Sequence, residues 1–157
     1  MNIVDKKTKS NSLSFTVGIP TYYGGPAIVR AAKSILASED VKNFRFIVTV
    51  DGNPLEPDIF RQLKELGVEV INNEKRGGQT ERIKQLISLA DSDILILTQD
   101  DIQFKPDALA RIVEVFNDNP GVTMVGAKVI PSPAETFFES IIEVGVRLNY
   151  RIATALK

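Results

Sequence analysis

Short runs of β-branched and aromatic residues recur along the chain at FTVGI (15–19), FRFIVTV (44–50), VEVI (68–71), DILIL (93–97) and VTMVGAKVI (122–130). They are nearly continuous rather than strictly alternating, as expected of strands buried on both faces. Between them the apolar positions take helical spacing. Ile59, Phe60, Leu63 and Leu66 form one stripe, and Ile83, Leu86, Ile87 and Ala90 form another. Leu109, Ile112, Val113 and Phe116 form a third, with Pro106 at the expected first helical position. Pro26 opens a helix carrying Ile28, Ala31, Ala32, Ile35 and Leu36. Strands alternating with helices over short connections predict an α/β fold, a mostly parallel sheet covered by helices through right-handed crossovers.

The two ends read differently. Residues 1–13, with Lys6, Lys7 and Lys9, form a polar leader expected to fray. The stretch 137–157 places Phe138, Ile141, Ile142, Val144 and Leu148 at amphipathic spacing but has no stop signal. It is open to two readings, a last helix packed on the sheet or the start of a region that continues elsewhere.

Composition narrows the chemistry. With no Cys and no His in 157 residues, disulfides, thiol chemistry, a zinc site of the usual ligands and a Ser-His-Asp triad are excluded. Catalysis is left to carboxylates, Lys and Arg, hydroxyls, backbone amides or a hard cation held by oxygen. A net charge of −1 argues against a nucleic-acid partner, and a chain of this length can bury its own core. No apolar run reaches the ~18 residues of a membrane span, so there is no transmembrane segment in the chain, and a cytoplasmic setting is expected.

Ligands of open parallel sheets bind beyond the carboxyl ends of the strands. There the unusual residues collect: Pro20-Thr21-Tyr22-Tyr23-Gly24-Gly25, Asp51-Gly52-Asn53-Pro54, Lys75-Arg76-Gly77-Gly78-Gln79 and Thr98-Gln99-Asp100-Asp101. Each has a plain reading. Asp51 to Pro54 is a good turn in its own right, the glycines after Arg76 can be a mere approach to a helix, and the tyrosines can be packing residues. The alternative reading of Arg76-Gly77-Gly78 is a phosphate cradle of free amides at a helix N-terminus beside a guanidinium. Asp100 and Asp101 repel each other unless solvent or a cation compensates. They are either a solvated loop or a site for Mg²⁺ or Mn²⁺, ions that choose carboxylate and phosphate oxygens.

In order and spacing these segments resemble the inverting family 2 glycosyltransferases. FTVGIPTYYGG (15–25) is similar to the V-x-I-P-x-Y-N opening of that family, and IVTVDGNP (47–54) to its V-x-D-G-S. KRGGQTERIKQL (75–86) resembles the R-G-G-K-x-x-A-L-N stretch of the chitin- and hyaluronan-synthase-like branch. ILTQDDIQFKPDALARIV (96–113) resembles the D-x-D motif with its following P-D-A-L. The register set by Pro106-Asp107-Ala108-Leu109 puts Asp101 at the metal-ligand position and Gln99 where the first Asp stands. Gln79 replaces a Lys, and Lys84 an Asn.

The resemblance implies a GT-A, Rossmann-like three-layer α/β/α sandwich over 14–131. It also implies a nucleoside-diphosphate sugar, UDP-linked, as donor. The implied donor-binding residues are Pro20, Thr21, Tyr22, Asp51, Gly52, Arg76, Gly77, Gly78, Gln79, Gln99 and Asp100, with Asp51 at the base. Asp101 and Asp100 are the implied ligands of Mg²⁺ or Mn²⁺. The acceptor is an unidentified glycan or lipid-linked hydroxyl, and transfer inverts the anomeric centre.

The catalytic base of that family lies in an E-D pair beyond the metal motif, and no such pair follows Asp101. Glu135, Glu139 and Glu143 read instead as solvated or capping residues. The expectation is therefore a donor-binding half, with 132–157 beginning an acceptor-side region that in relatives can lie along a membrane surface. Such a chain would bind donor nucleotide and transfer little or no sugar. The rival reading is a degenerate GT-A domain that only binds partners. A dinucleotide oxidoreductase is excluded because no G-x-G-x-x-G follows the first strand. A response-regulator module would need its acidic pair after strand one, and a sugar nucleotidyltransferase would need a basic glycine loop there.

Overall fold

A computed structural model describes residues 13–41 and 43–155, and of residues 149, 150 and 152–155 the backbone only. Nine elements follow in order: β1 (Phe15–Thr21), α1 (Pro26–Leu36), β2 (Arg45–Asp51), α2 (Pro57–Glu65), β3 (Glu69–Asn73), α3 (Gln79–Leu89), β4 (Ile94–Leu97), α4 (Ala108–Asp118) and α5 (Phe137–Ala155). The four strands form one parallel sheet in the order β3-β2-β1-β4. The chain divides into two compact units, Met1–Val125 and Gly126–Lys157. Of the leader expected over 1–13, residues 1–12 lie outside the described residues, and Leu13 packs against the core.

The pleat of β1 shows why the sheet must be covered twice. Phe15, Val17 and Ile19 point to one face, together with Phe46, Val48 and Val50 of β2 and Ile94 and Ile96 of β4. That face carries α1, α2 and α4 through Ile28, Ile35, Ile59, Leu63, Leu109 and Val113. The opposite face has Thr16, Gly18 and Ile47, all buried, and α3 lies on it with Leu86 against Gly18. Helices thus lie on both faces, as the sequence pattern predicts. Each fully buried Val, Leu or Ile contributes roughly 1.5–3 kcal/mol of transfer free energy. The amino ends of β1 and β4 are tied by Asp93 Oδ2, which accepts from the Ser14 N–H at 2.8 Å and the Ser14 hydroxyl at 2.7 Å. These two bonds hold the Asp93 carboxyl below the ordinary aspartate range.

Three expectations need correction. The run 122–130 forms no strand: it is irregular, with Met124, Val129 and Ile130 exposed. A strand needs a partner ladder, and none of the four described strands pairs with this run. Pro106 is not the first residue of α4; it sits in the turn before it, where its carbonyl accepts the Glu39 N–H at 2.9 Å. The stripe on α3 is shifted. Leu86 is buried but Ile87 is 58% exposed, and the positions flanking Leu86 on the buried side are Arg82 and Gln85, both half-buried.

In the second unit, α5 opens with a capping box. Thr136 Oγ1 accepts the Glu139 N–H at 3.2 Å, and Glu139 Oε2 accepts the N–H of Glu135 at 2.8 Å and of Thr136 at 3.0 Å. Glu143 pairs with Arg147 at 2.7 Å and accepts the Ala134 N–H at 3.2 Å. Glu139 and Glu143 are thus engaged locally, as capping residues would be. No helix among the described residues is long and apolar enough to cross a membrane.

The shifted α3 stripe has a direct check in chemical denaturation. Leu86→Ala is expected to cost about 2–5 kcal/mol, whereas Ile87→Ala is expected to change stability by less than about 0.5 kcal/mol.

Candidate functional site

The carboxyl ends of the four strands open on one cleft of about 330 Å³. From the end of β1 it takes Pro20 and Thr21, and from the loop that follows, Tyr22; from the end of β2, Asp51. The loop after β3 contributes Arg76 and Gly78, with Gln79 opening α3, and the turn after β4 contributes Gln99, Asp100 and Asp101. Ten of the residues singled out in the sequence thus meet here. Gly52 and Gly77 are not among the cleft's lining, and each has a backbone task instead.

Asp51 organises this edge. Its side chain ends β2 on the α3 face and is 4% exposed. Oδ1 accepts the Gly77 N–H at 2.7 Å and Oδ2 accepts the Gly78 N–H at 2.9 Å. The sequence suggested amides free for phosphate, but these two point at Asp51. Arg82 Nε lies 3.3 Å from Oδ1, an ion pair outside hydrogen-bond geometry, since Nε is buried without an acceptor. The Gly77 amide above all, then the Gly78 amide and the charges of Arg82 and Arg76, hold the Asp51 carboxyl below the ordinary aspartate range against the opposing effect of burial.

Gly52 makes this approach possible. It has φ +77°, and a Cβ there would stand 2.7 Å from the Arg76 backbone nitrogen. Its N–H donates to the Asn73 carbonyl at 2.9 Å, so the loops after β2 and β3 touch backbone to backbone.

The acidic pair is divided in role by its neighbours. The Thr21 hydroxyl donates to Asp100 Oδ2 in a short hydrogen bond that ties the turn after β4 to β1. Asp101 and Gln99 are exposed at the rim. Among the described residues no group of three carboxylates could hold a metal by itself. A hard cation at these two carboxylates would need further oxygens from water or a ligand. On the other side, the Arg76 guanidinium lies 4.4 Å from the Tyr22 ring centroid, and Tyr23 meets Tyr22 edge to face at 4.7 Å.

The lining residue that sequence reasoning missed is Arg82. Its signal was available: it precedes Leu86 by four residues and so shares that side chain's face of the helix. The apolar pattern drew attention to Ile83 and Ile87 instead.

Comparison with known proteins bears on the family and the fold. The sequence profile of Glycosyl transferase family 2 matches residues 16–154. The glucosyl-dolichyl phosphate glucuronosyltransferase of Haloferax volcanii is 28% identical over 103 residues, covering 63% of this chain and 32% of that protein. Among solved structures, S. aureus TarS 1-349 in complex with UDP aligns with a TM-score of 0.62 at 16% identity, over 78% of this chain and 40% of that one. The mannosyltransferase PcManGT from Pyrobaculum calidifontis, in complex with GDP-Man and Mn²⁺, aligns with a TM-score of 0.61 at 17% identity, over 74% and 35%. The chain therefore spans about a third of the curated relative it matches, and the structural likeness is one of fold.

Two outcomes test the Asp51 arrangement. Because Asp51 titrates lower in the folded chain than its ordinary value of about 3.9, its contribution is fully present above that pH and is lost as pH falls below it. In thermal unfolding from pH 7 to pH 3, the Tm gap between the wild-type chain and Asp51→Asn is expected to be widest near neutrality and to close below about pH 4. Gly52→Ala is expected to cost about 1–3 kcal/mol in urea unfolding, because the positive φ and the Arg76 backbone both oppose a Cβ.

Proposed function

The chain belongs to glycosyl transferase family 2, and from that premise we propose that its cleft binds the nucleoside diphosphate of a UDP-linked sugar for inverting transfer to an acceptor hydroxyl. The observation that carries this reading is the convergence of Tyr22, Asp51, Arg76, Asp100 and Asp101 on one cleft at the carboxyl edge of a parallel sheet. A cleft of about 330 Å³ falls within the range of small-ligand sites.

In this reading Tyr22 offers a ring face to the base and Asp51 accepts one of its N–H groups. Arg76 already rests on that ring, and its guanidinium is within the same cleft as a diphosphate would be. Asp101 and Asp100 would hold Mg²⁺ or Mn²⁺, and Gln99 would offer a neutral amide oxygen beside them. Such a cation would supply positive charge where the leaving diphosphate gains negative charge. The acceptor oxygen bonds to the anomeric carbon from the face opposite the departing diphosphate, which inverts that centre. The acceptor is a glycan or lipid-linked hydroxyl. Its proton goes to a general base outside the donor cleft, because Asp100 and Asp101 face the leaving group.

Titration calorimetry of UDP into the chain with Mn²⁺, repeated with EDTA and with Asp101→Ala, tests the proposal. Binding is expected to require the metal and to weaken at least about tenfold in the variant. Metal-independent binding would remove the role given to Asp101. No binding under any condition would favour a degenerate domain that keeps the fold without the donor.

A further inference from the structure

We propose that Ser34 of α1 is a positioning residue for Asp101, holding the acidic turn from its downstream end through the Phe104 amide. This rests on the reading of Asp100 and Asp101 as the carboxylates of the cleft's cation. Between β4 and α4, residues 98–107 carry no helix or strand, so their course depends on bonds made to other elements. Upstream, the Thr98 N–H donates to the Gly18 carbonyl at 3.1 Å, and the Thr21 hydroxyl holds Asp100. Downstream, the Phe104 N–H donates to Ser34 Oγ at 2.9 Å, and the Pro106 carbonyl accepts the Glu39 N–H. Asp101 lies between a stretch held by β1 and a stretch held from α1. The bond inside the turn, from the Ile102 N–H to the Gln99 carbonyl, is long at 3.4 Å and adds little stiffness.

The Ser34 hydroxyl is prepared for this contact by its own helix. It donates to the Ala31 carbonyl at 2.7 Å, which uses its hydrogen and leaves the oxygen as an acceptor for the incoming amide. The Phe104 ring packs against the core and sets where that residue sits. Ring packing by itself leaves the peptide between residues 103 and 104 free to turn, and the Ser34 bond fixes its plane. Asp100 is oriented through its own side chain, whereas Asp101, exposed at the rim, is aimed by its backbone. Ser38, four residues further on, does not share the task, because its hydroxyl is buried without a partner. Ser34 thus acts through Phe104 on a carboxylate it does not touch.

Two measurements test this. In amide hydrogen exchange the Phe104 N–H of the wild-type chain is expected to be protected, and that protection to fall at least about tenfold in Ser34→Ala. An unprotected Phe104 amide in the wild-type chain would overturn the proposal whether or not the variant folds. In calorimetry, UDP is titrated at a series of Mn²⁺ concentrations into the wild-type chain, Ser34→Ala, Ser34→Thr and Asp101→Ala. The Mn²⁺ concentration for half-maximal UDP binding is expected to rise at least about threefold in Ser34→Ala, and to stay near the wild-type value in Ser34→Thr, which keeps the hydroxyl. Ser88→Ala removes a hydroxyl that makes the same kind of bond on α3, to the Gln85 carbonyl at 2.8 Å, and is expected to change nothing. A merely structural role for Ser34 would lower the Tm and leave the Mn²⁺ requirement where it was, which overturns the proposal. If Asp101→Ala raises that requirement and Ser34→Ala does not, only the role of Ser34 is lost. If Asp101→Ala leaves it unchanged, or the wild-type chain binds no UDP, the reading of the carboxylates is lost and the proposal with it.

Discussion

A carboxylate that ends a central strand and is nearly shut off from water has to find donors, and at Asp51 it finds them in a neighbouring loop. Two consecutive amides at 2.7 and 2.9 Å fix the chain direction just before α3 begins. That contact decides where the loop after β3 runs, and with it where Arg76 stands relative to Tyr22. It also draws a second arginine beneath the loop. The geometry of this wall of the cleft is thus a consequence of satisfying one buried charge.

The opposite wall is built on the same economy of partners. Asp100 is turned toward β1 by the Thr21 hydroxyl, which leaves Asp101 free at the rim. Arginines on one side and carboxylates on the other divide the cleft into a cationic and an anionic half, although the chain as a whole carries almost no net charge. A simple anion or a simple cation would match only one half.

The parts that were legible in the sequence are those set by local chemistry. The four strands announce themselves because parallel strands covered on both faces admit few polar residues, and the four loops because turn and acidic residues stand out at their ends. Pairing is not local, so VTMVGAKVI has the composition of a strand yet lacks a ladder in the structure. Helix phase failed for a similar reason. Ile83 and Ile87 made an apolar stripe persuasive, but the buried face of α3 had to accommodate Arg82 and Gln85, whose partners come from β2 and β3. The free amides expected after Arg76 depended on where Asp51 would point, and no spacing rule contains that.

One contact on the same face of the sheet governs how α3 sits. Leu86 lies so close above Gly18 that a Cβ there would come within 3.0 Å of it. The bare backbone at position 18 therefore lets α3 ride close to the sheet, with Gln85 beside Leu86 and Arg82 one turn before it. A methyl group added at position 18 would have to be met by a shift of Leu86, and the ion pair between Arg82 and Asp51 is carried on the same helix.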